Sequence, residues 1–215
     1  MTHPYHHATS SSNIWGGKPE DYLEIHRILD SSKEAFCDYR HRIMWHHQEG
    51  AQWIANLLGQ FITVGKQDVP LHLVAEQHIL EDCGGTIPTI QDWVDQMPVL
   101  SWMNNSQSTE SHSLHCAKRF GGDPSNYNAV HQWIDEHNKE DDPRWQFFRH
   151  HAEGSFAAEK EFGVTILNSK GRHIPTRYVV EEHLKRDFSE PIPNFSTWLT
   201  KMKRAPWMAR VFKVQ

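Results

Sequence analysis

Apolar residues recur along this chain in two rhythms, one helical and one alternating. After a Gly-Gly-x-Pro turn at positions 16–19, the spacing predicts a first helix from about Glu20 to Phe36. Tyr39, Ile43, Gly50, Ile54 and Leu57 then form an apolar stripe at helical spacing. They predict a second helix from about Asp38 to Leu58 that Gly59 stops, as Gly163 stops its counterpart. Beyond that point the rhythm changes to alternation. It is clearest in VTILNSKGRHIPTRYV (164–179), where apolar residues alternate around Ser-Lys-Gly and predict a β-hairpin. A third helix carrying Glu76, His78 and Asp82 follows the hairpin, and a short tryptophan-containing helix closes the block. The expected fold class is α+β, mostly helical.

This order of blocks occurs twice. WGGKPEDYLEIHRILD (15–30) aligns with FGGDPSNYNAVHQWID (120–135), and MWHHQEG (44–50) with FRHHAEG (148–154). VPLHLVAEQHILED (69–82) aligns with IPTRYVVEEHLKRD (174–187), IPTIQDW (87–93) with IPNFSTW (192–198), and SWM (101–103) with PWM (206–208). The offset is 104–105 throughout, with one residue fewer in the second copy between Asp135 and Arg144. The chain is a tandem duplication. A first unit spans 1–103 and a second 114–215, with the polar stretch 104–113 as linker. Each unit, about 100 residues long, is expected to hold two helices, a β-hairpin and one or two further helices. Duplication of a whole unit predicts an intramolecular pseudo-dimer of the repeats.

Composition narrows the functional classes. A formal charge of -5 and a pI near 6.4 argue against a general nucleic-acid-coating protein, which needs a broad basic face. A mean hydropathy of -0.69 implies a polar surface, offset by nine tryptophans and ten phenylalanines that can fill compact cores. Cys37, Cys83 and Cys116 are odd in number and widely spaced, which fits neither a disulfide framework nor a zinc finger. MTHPYHHATSSS has no apolar signal region and no run approaches membrane-spanning length, so the expectation is a cytoplasmic protein without a membrane partner. The basic tail KMKRAPWMARVFKV (201–214) suits either an acidic partner, nucleic acid included, or a capping helix with a solvated face.

The 17 histidines are the outlier, and many of them are patterned. His-x-x-x-Asp occurs as His26/Asp30, His78/Asp82, His131/Asp135 and His183/Asp187. Residues four apart share a helix face, so each pair can aim at one point. Imidazole plus carboxylate is a donor mixture that suits zinc, manganese or iron. The expected ligands of a divalent metal ion are His26, Asp30, His46, His47, His78 and Asp82, repeated as His131, Asp135, His150, His151, His183 and Asp187. Glu49 and Glu153 are the candidate catalytic bases, and Arg40 and Arg144 the candidate binders of a substrate phosphate or carboxylate. The structural alternative is concrete: a His-x-x-x-Asp pair is often a local hydrogen bond that fixes a tautomer, and duplication copies structural and functional features alike. Standard hydrolase and nucleotide-binding signatures are absent from the sequence.

WGGKPEDYLEIH, RHRIMWHHQEG, EQHILEDCGGTIPTIQDW and the HPYHH entry resemble an uncharacterised, histidine-rich domain family of bacteria and their phages. The resemblance covers nearly the whole chain as two units and brings no reaction with it. The leading functional expectation is a metal-binding tandem-repeat protein, extended to a metal-dependent hydrolase of a phosphorylated small molecule or nucleic acid. The rival is a non-catalytic binding or inhibitor protein whose His/Asp clusters are buried polar networks. A third reading is a nuclease with His173 as base beside His183.

Overall fold

A computed structural model describes residues 3–34, 36–103, 107–138, 141–188 and 191–209. The chain forms two compact units. The first comprises residues 1–97 and 202–215, the second residues 98–201.

In the first unit, α1 (Pro4–Trp15) and α2 (Pro19–Leu29) lead into 3-10 turns at Ser31–Glu34 and Tyr39–Met44. Then follow α3 (Gln48–Leu58), strands β1 (Phe61–Val64) and β2 (Gln67–Pro70), α4 (Leu71–Asp82) and the short α5 (Ile90–Val94). The strands are antiparallel, with Phe61 opposite Pro70 and Val64 opposite Gln67, and Gly65 at φ 62° makes the tight turn between them. Helix α4 packs against α1, α2 and α3. Its buried face reads Leu71, Val74, Ala75, His78, Ile79 and Asp82, a helical stripe that runs straight through two polar residues. Helix α2 does the same with Tyr22, Ile25, His26 and Leu29. Placing polar groups inside a core stripe is what brings them together out of water.

The second unit repeats the plan with α6 (Thr109–Phe120), α7 (Ser125–Asp135), a 3-10 turn at Pro143–Phe148, α8 (Gly154–Phe162), β3 (Thr165–Leu167), β4 (His173–Pro175), α9 (Thr176–Phe188) and α10 (Phe195–Leu199). Its core gathers Tyr127, Val130, Ile134, Val179, Val180 and Leu184. The α+β class, mostly helical with one small hairpin per repeat, is as expected.

Several details differ from the expectation. The predicted second helix is two pieces, because the chain turns sharply at Trp45–His47 before α3 begins. A Cβ on Gly50 would lie 2.2 Å from the Trp45 carbonyl oxygen, so the apparent stripe position is really a close backbone approach. Leu57 is 63% exposed, and the buried stripe ends at Ile54 and Ala55. Helix α2 stops at Leu29, short of the expected Phe36, and α1 lies where no helix was predicted. Its sequence PYHHATSSSNIW has almost no apolar stripe, and only His7, Ala8 and Ser11 are buried. Residues 109–113 of the polar linker stretch are helical, starting α6 behind its N-cap Ser108; residues 104–106 lie outside the described residues. The tail makes a 3-10 turn at Pro206–Met208 in place of a capping helix, and its residues 210–214 lie outside the described residues. Among the described residues no helix is long and apolar enough to cross a membrane.

The closing segments are unequally assigned to the repeats. Trp207 stands edge-on to Trp93 with ring centres 4.8 Å apart, and Met208 is buried, both within the first unit. Trp102 meets Trp198 at 4.7 Å, with Met103 buried, within the second. By sequence alignment Trp102 is the counterpart of Trp207, so each compact unit is closed by the other repeat's tryptophan.

Candidate metal centres

In the first unit, Asp30, His46, His78 and Asp82 point one atom each at a common centre, all four within 4.8 Å of one another. His46 Nε2 lies 3.0 Å from His78 Nε2 and 3.5 Å from Asp82 Oδ2. Asp30 Oδ1 is 3.9 Å from His46 Nε2 and 3.7 Å from His78 Nε2, and Asp82 Oδ2 is 3.9 Å from His78 Nε2. Nitrogen and oxygen ligands sit about 2.0–2.2 Å from zinc, so the edges of their tetrahedron are roughly 3.3–3.6 Å. The observed spacings straddle that range. The two imidazoles and Asp82 are fully buried and Asp30 is 4% exposed.

Local structure explains the aim of each group. His78 and Asp82 share a face of α4, while Asp30 is the C-cap of α2. His46 sits in the turn before α3, and the Trp93 indole N–H donates to its carbonyl at 2.8 Å. The IPTIQDW segment thus holds the His46 backbone in place: Gln48 N–H also bonds the Pro88 carbonyl, and Thr89 and Asp92 cap α5.

A second layer backs the cage. His78 Nδ1 faces His26 Nδ1 at 2.9 Å, His26 Nε2 meets the Ser11 hydroxyl at 2.9 Å, and Ser11 donates to Gln77 at 2.7 Å. With His78 Nε2 turned to the centre, this chain fixes its tautomer, as an outer shell does for a metal ligand. His7 stacks on His78 with ring centres 3.9 Å apart and places Nε2 3.6 Å from Asp82 Oδ1.

Burial, reinforced by neighbouring imidazoles, holds His78 well below its usual range and His26 at about 3. His46 is lowered too, by burial against the opposing pull of Asp82. These imidazoles are therefore neutral near pH 7, the form that binds metal. Burial pushes Asp82 up, but His46 and Arg42 outweigh it and hold the carboxyl far below the usual range.

The second unit brings the corresponding residues together, but as two overlapping groups that share His183: Asp135, His150 and His183, and His112, His183 and Asp187. His150 Nε2 lies 3.2 Å from His183 Nε2, 3.3 Å from Asp135 Oδ1 and 3.6 Å from Asp187 Oδ2. His183 Nε2 is 3.5 Å from Asp135 Oδ1 and 3.1 Å from Asp187 Oδ2. His112 adds Nε2 at 3.1 Å from Asp187 Oδ1 and stacks on His183 as His7 does on His78. His131 Nδ1 backs His183 at 3.0 Å, but Cys116 replaces Ser11, and His131 Nε2 has no hydrogen-bond partner among the described residues. Burial opposes protonation of His183, yet Asp135 and Asp187 raise it above the usual imidazole range, opposite in direction to His78.

A family model described as Domain of unknown function (DUF6915) matches residues 2–103 and again residues 107–208. The chain belongs to this family. No curated protein and no solved structure shows significant similarity to it.

Within each DUF6915 repeat the predicted site residues separate into three groups. Asp30, His46, His78 and Asp82, with Asp135, His150, His183 and Asp187, line the cages. His26 and His131 stand one layer behind them. The remainder do other work. His47 is the N-cap of α3, its Nδ1 accepting the Gly50 N–H at 2.9 Å, and His151 Nδ1 accepts the Gly154 N–H at 3.2 Å. Glu49 Oε2 accepts the Ile90 N–H at 3.1 Å beside His47, and Glu153 Oε2 the Phe195 N–H at 2.8 Å beside His151. The HHxEG signature is therefore cage residue, cap, clasp and close approach in order, and its glutamates join the start of one helix to the next. Arg40 and Arg144 fork onto Asp38 and Asp142. His173 is exposed on β4 against Thr165, whereas His183 is buried, so the hairpin does not seat the nuclease base proposed for it. His7, His112 and Arg42 escaped the sequence reading. Extending the repeat offset of 105 backwards pairs His7 with His112 and would have found both.

Proposed function

We propose that the protein is a metal-binding protein whose two repeats each enclose a divalent ion between two imidazoles and two carboxylates. One observation carries the reading: four buried donor atoms in the first unit spaced like the edges of a tetrahedral shell. A purely hydrogen-bonded network fits less well. A proton between His46 and His78 satisfies those nitrogens but leaves Asp30 Oδ1, buried and without a hydrogen-bond donor among the described residues, facing them. Such an oxygen costs about 1–3 kcal/mol unless something positive meets it. Mixed nitrogen and oxygen donors suit zinc, manganese or iron, and the tetrahedral spacing favours zinc.

A shell made entirely of buried protein ligands suits retention of the ion more than turnover, because a catalytic ion keeps one position for water or substrate. Hydrolysis of a phosphorylated substrate is the second reading. What favours it is the second cage, where the Asp135 side chain is 18% exposed. A cytoplasmic setting accords with three free thiols, Cys37, Cys83 and Cys116. The pseudo-dimer of repeats is supported by the way each compact unit is closed by the other repeat's Trp-Met segment.

Native mass spectrometry after incubation with zinc, manganese or iron tests the reading. Up to two ions per chain are expected, with His78→Ala and His183→Ala each removing one. Protein that stays metal-free with all three metals would overturn it.

A further inference from the structure

We propose that the two cages differ in affinity: the second, whose carboxylates are balanced by no lysine or arginine among the described residues, is the tight divalent-cation site, and the first is weak. This rests on the metal reading above and adds to it a ranking that the shared donor set does not contain.

The difference lies in the residues behind the carboxylates. In the first unit Lys33 Nζ lies 2.5 Å from Asp30 Oδ2. Arg42 Nη2 lies 3.0 Å from Asp82 Oδ2, and its Nη1 donates to the Asp82 carbonyl at 2.7 Å and the Met208 carbonyl at 3.1 Å. Arg42 is 4% exposed. Two carboxylates and two built-in cations sum to zero before any metal arrives. An entering dication would leave two net positive charges in a buried site, where uncompensated charge is costly.

In the second unit both cations are gone. Asn138 stands at the position of Lys33 and donates to Asp135 Oδ1 at 2.9 Å; Thr109 donates to Asp135 Oδ2 at 2.9 Å. Gln146 stands at the position of Arg42. Asp187 Oδ1 receives the Gln107 N–H at 3.0 Å and faces His112. Arg186, the nearest arginine in sequence, turns to Gln107, Ser111 and His115. Buried Asp187 and the partly exposed Asp135 then have amides, hydroxyls and imidazoles around them in place of fixed cations, and one dication matches their two negative charges. Asp187 Oδ2, buried and without a hydrogen-bond partner among the described residues, faces the same centre.

The test is a zinc titration of the full chain against a competing chromophoric chelator. Two classes of site are expected, separated by about 100-fold or more in Kd, given the strength of charge–charge interaction at these distances. Asp187→Asn should remove the tight class and Asp82→Asn the weak one. Writing the first unit's charges into the second, Asn138→Lys with Gln146→Arg, should weaken the tight class about 100-fold. The reverse pair, Lys33→Asn with Arg42→Gln, should strengthen the weak class, and either direction alone suffices should one variant not fold. Two classes of equal affinity, or the tight class lost with Asp82→Asn, would overturn the ranking and leave the metal reading standing. No zinc bound at any concentration would bring down both.

Discussion

The two cages share their donors and differ in the groups that neutralise and back them. In the first, Ser11 completes a hydrogen-bonded chain through His26 to His78, while Arg42 and Lys33 neutralise the carboxylates. In the second, Cys116 ends that chain at His131, and amides and hydroxyls replace the cations. Divergence after duplication has therefore spared the atoms that meet at the centre and rewritten part of their supports. A polar network with no central occupant would be kept as a whole or lost as a whole, because a half-satisfied network is worse than an apolar core. Retention of the central donors while their charge balance changed accords with the proposed bound ion.

The largest effect should come from the support that only the first unit has. Arg42→Ala leaves Asp82 buried with its cation removed, and breaking one side of a buried ion pair typically costs about 3–5 kcal/mol. Gln146→Ala in the second unit removes no charge and should cost about 1 kcal/mol. Urea denaturation of metal-free protein checks this, and equal losses in the two variants would remove the electrostatic contrast. Saturating zinc should restore part of the Arg42→Ala loss, since the ion takes over the missing charge.

Next come features that both units share, where the comparison should vanish. Gly50→Ala and Gly154→Ala each drive a Cβ to 2.2 Å from the carbonyl oxygen of Trp45 or Arg149. That neighbour is backbone and cannot swing aside, so about 3 kcal/mol or more is expected from each. Trp93→Phe and Trp198→Phe remove the N–H that holds the His46 or His150 carbonyl, both bonds being 2.8 Å. Each should cost about 1–3 kcal/mol and loosen zinc retention in its own unit. A tryptophan variant that destabilises without altering metal affinity would confine the indole to packing.

These shared features also show what the sequence could and could not tell. Helix faces that carry His26, His78 and Asp82 were legible, because those residues fall inside apolar stripes and a polar residue in a stripe must be buried with company. His46 was legible from its pairing with His150 in the repeat. His47 and Glu49 stand in the structure as a cap and a clasp, roles that use the same side chains as a ligand and a base. Only the backbone turn at Trp45–His47 tells them apart, and Gly50 passed for a core position when it marks that turn. Helix α1 was hidden because three buried residues among polar ones leave little periodicity. His7 consequently went unnoticed although the repeat register pairs it with His112. Arg42 went unassigned, since nothing local announces that a carboxylate forty residues away will meet it.

A smaller effect tests the second layer. Cys116→Ser gives the buried His131 Nε2 the hydroxyl that Ser11 gives His26, and should stabilise the second unit by about 1 kcal/mol. Ser11→Cys should do the opposite in the first unit. Thermal denaturation of the two variants with their wild-type parent reads the sign, and destabilisation by Cys116→Ser would show that the surrounding packing, already closed over a thiol, decides the matter.

The smallest expected effect is a pH dependence, and it too should be alike in both units. Glu49 is lowered from 4.5 to about 2, first by the His47 ring beside it and also by the Ile90 N–H; Glu153 is lowered to about 2 by the His151 ring and the Phe195 N–H in the same way. A carboxyl whose folded pKa lies below its unfolded value adds stability that is fully present above the unfolded pKa, near 4.5 here. That contribution fades as pH falls through the interval down to about 2. Each side chain is 42% exposed, so solvent screening keeps the effect modest. Glu49→Gln and Glu153→Gln should therefore be less stable than wild type by a constant amount from about pH 5 to 7, with the gap closing below about pH 4. Zinc stoichiometry should not change in either. A gap that persists undiminished to pH 2, or loss of an ion with either substitution, would return these glutamates to the centre. A clasp predicts the closing gap in both units, whereas a catalytic base would show itself only in the unit that turns substrate over.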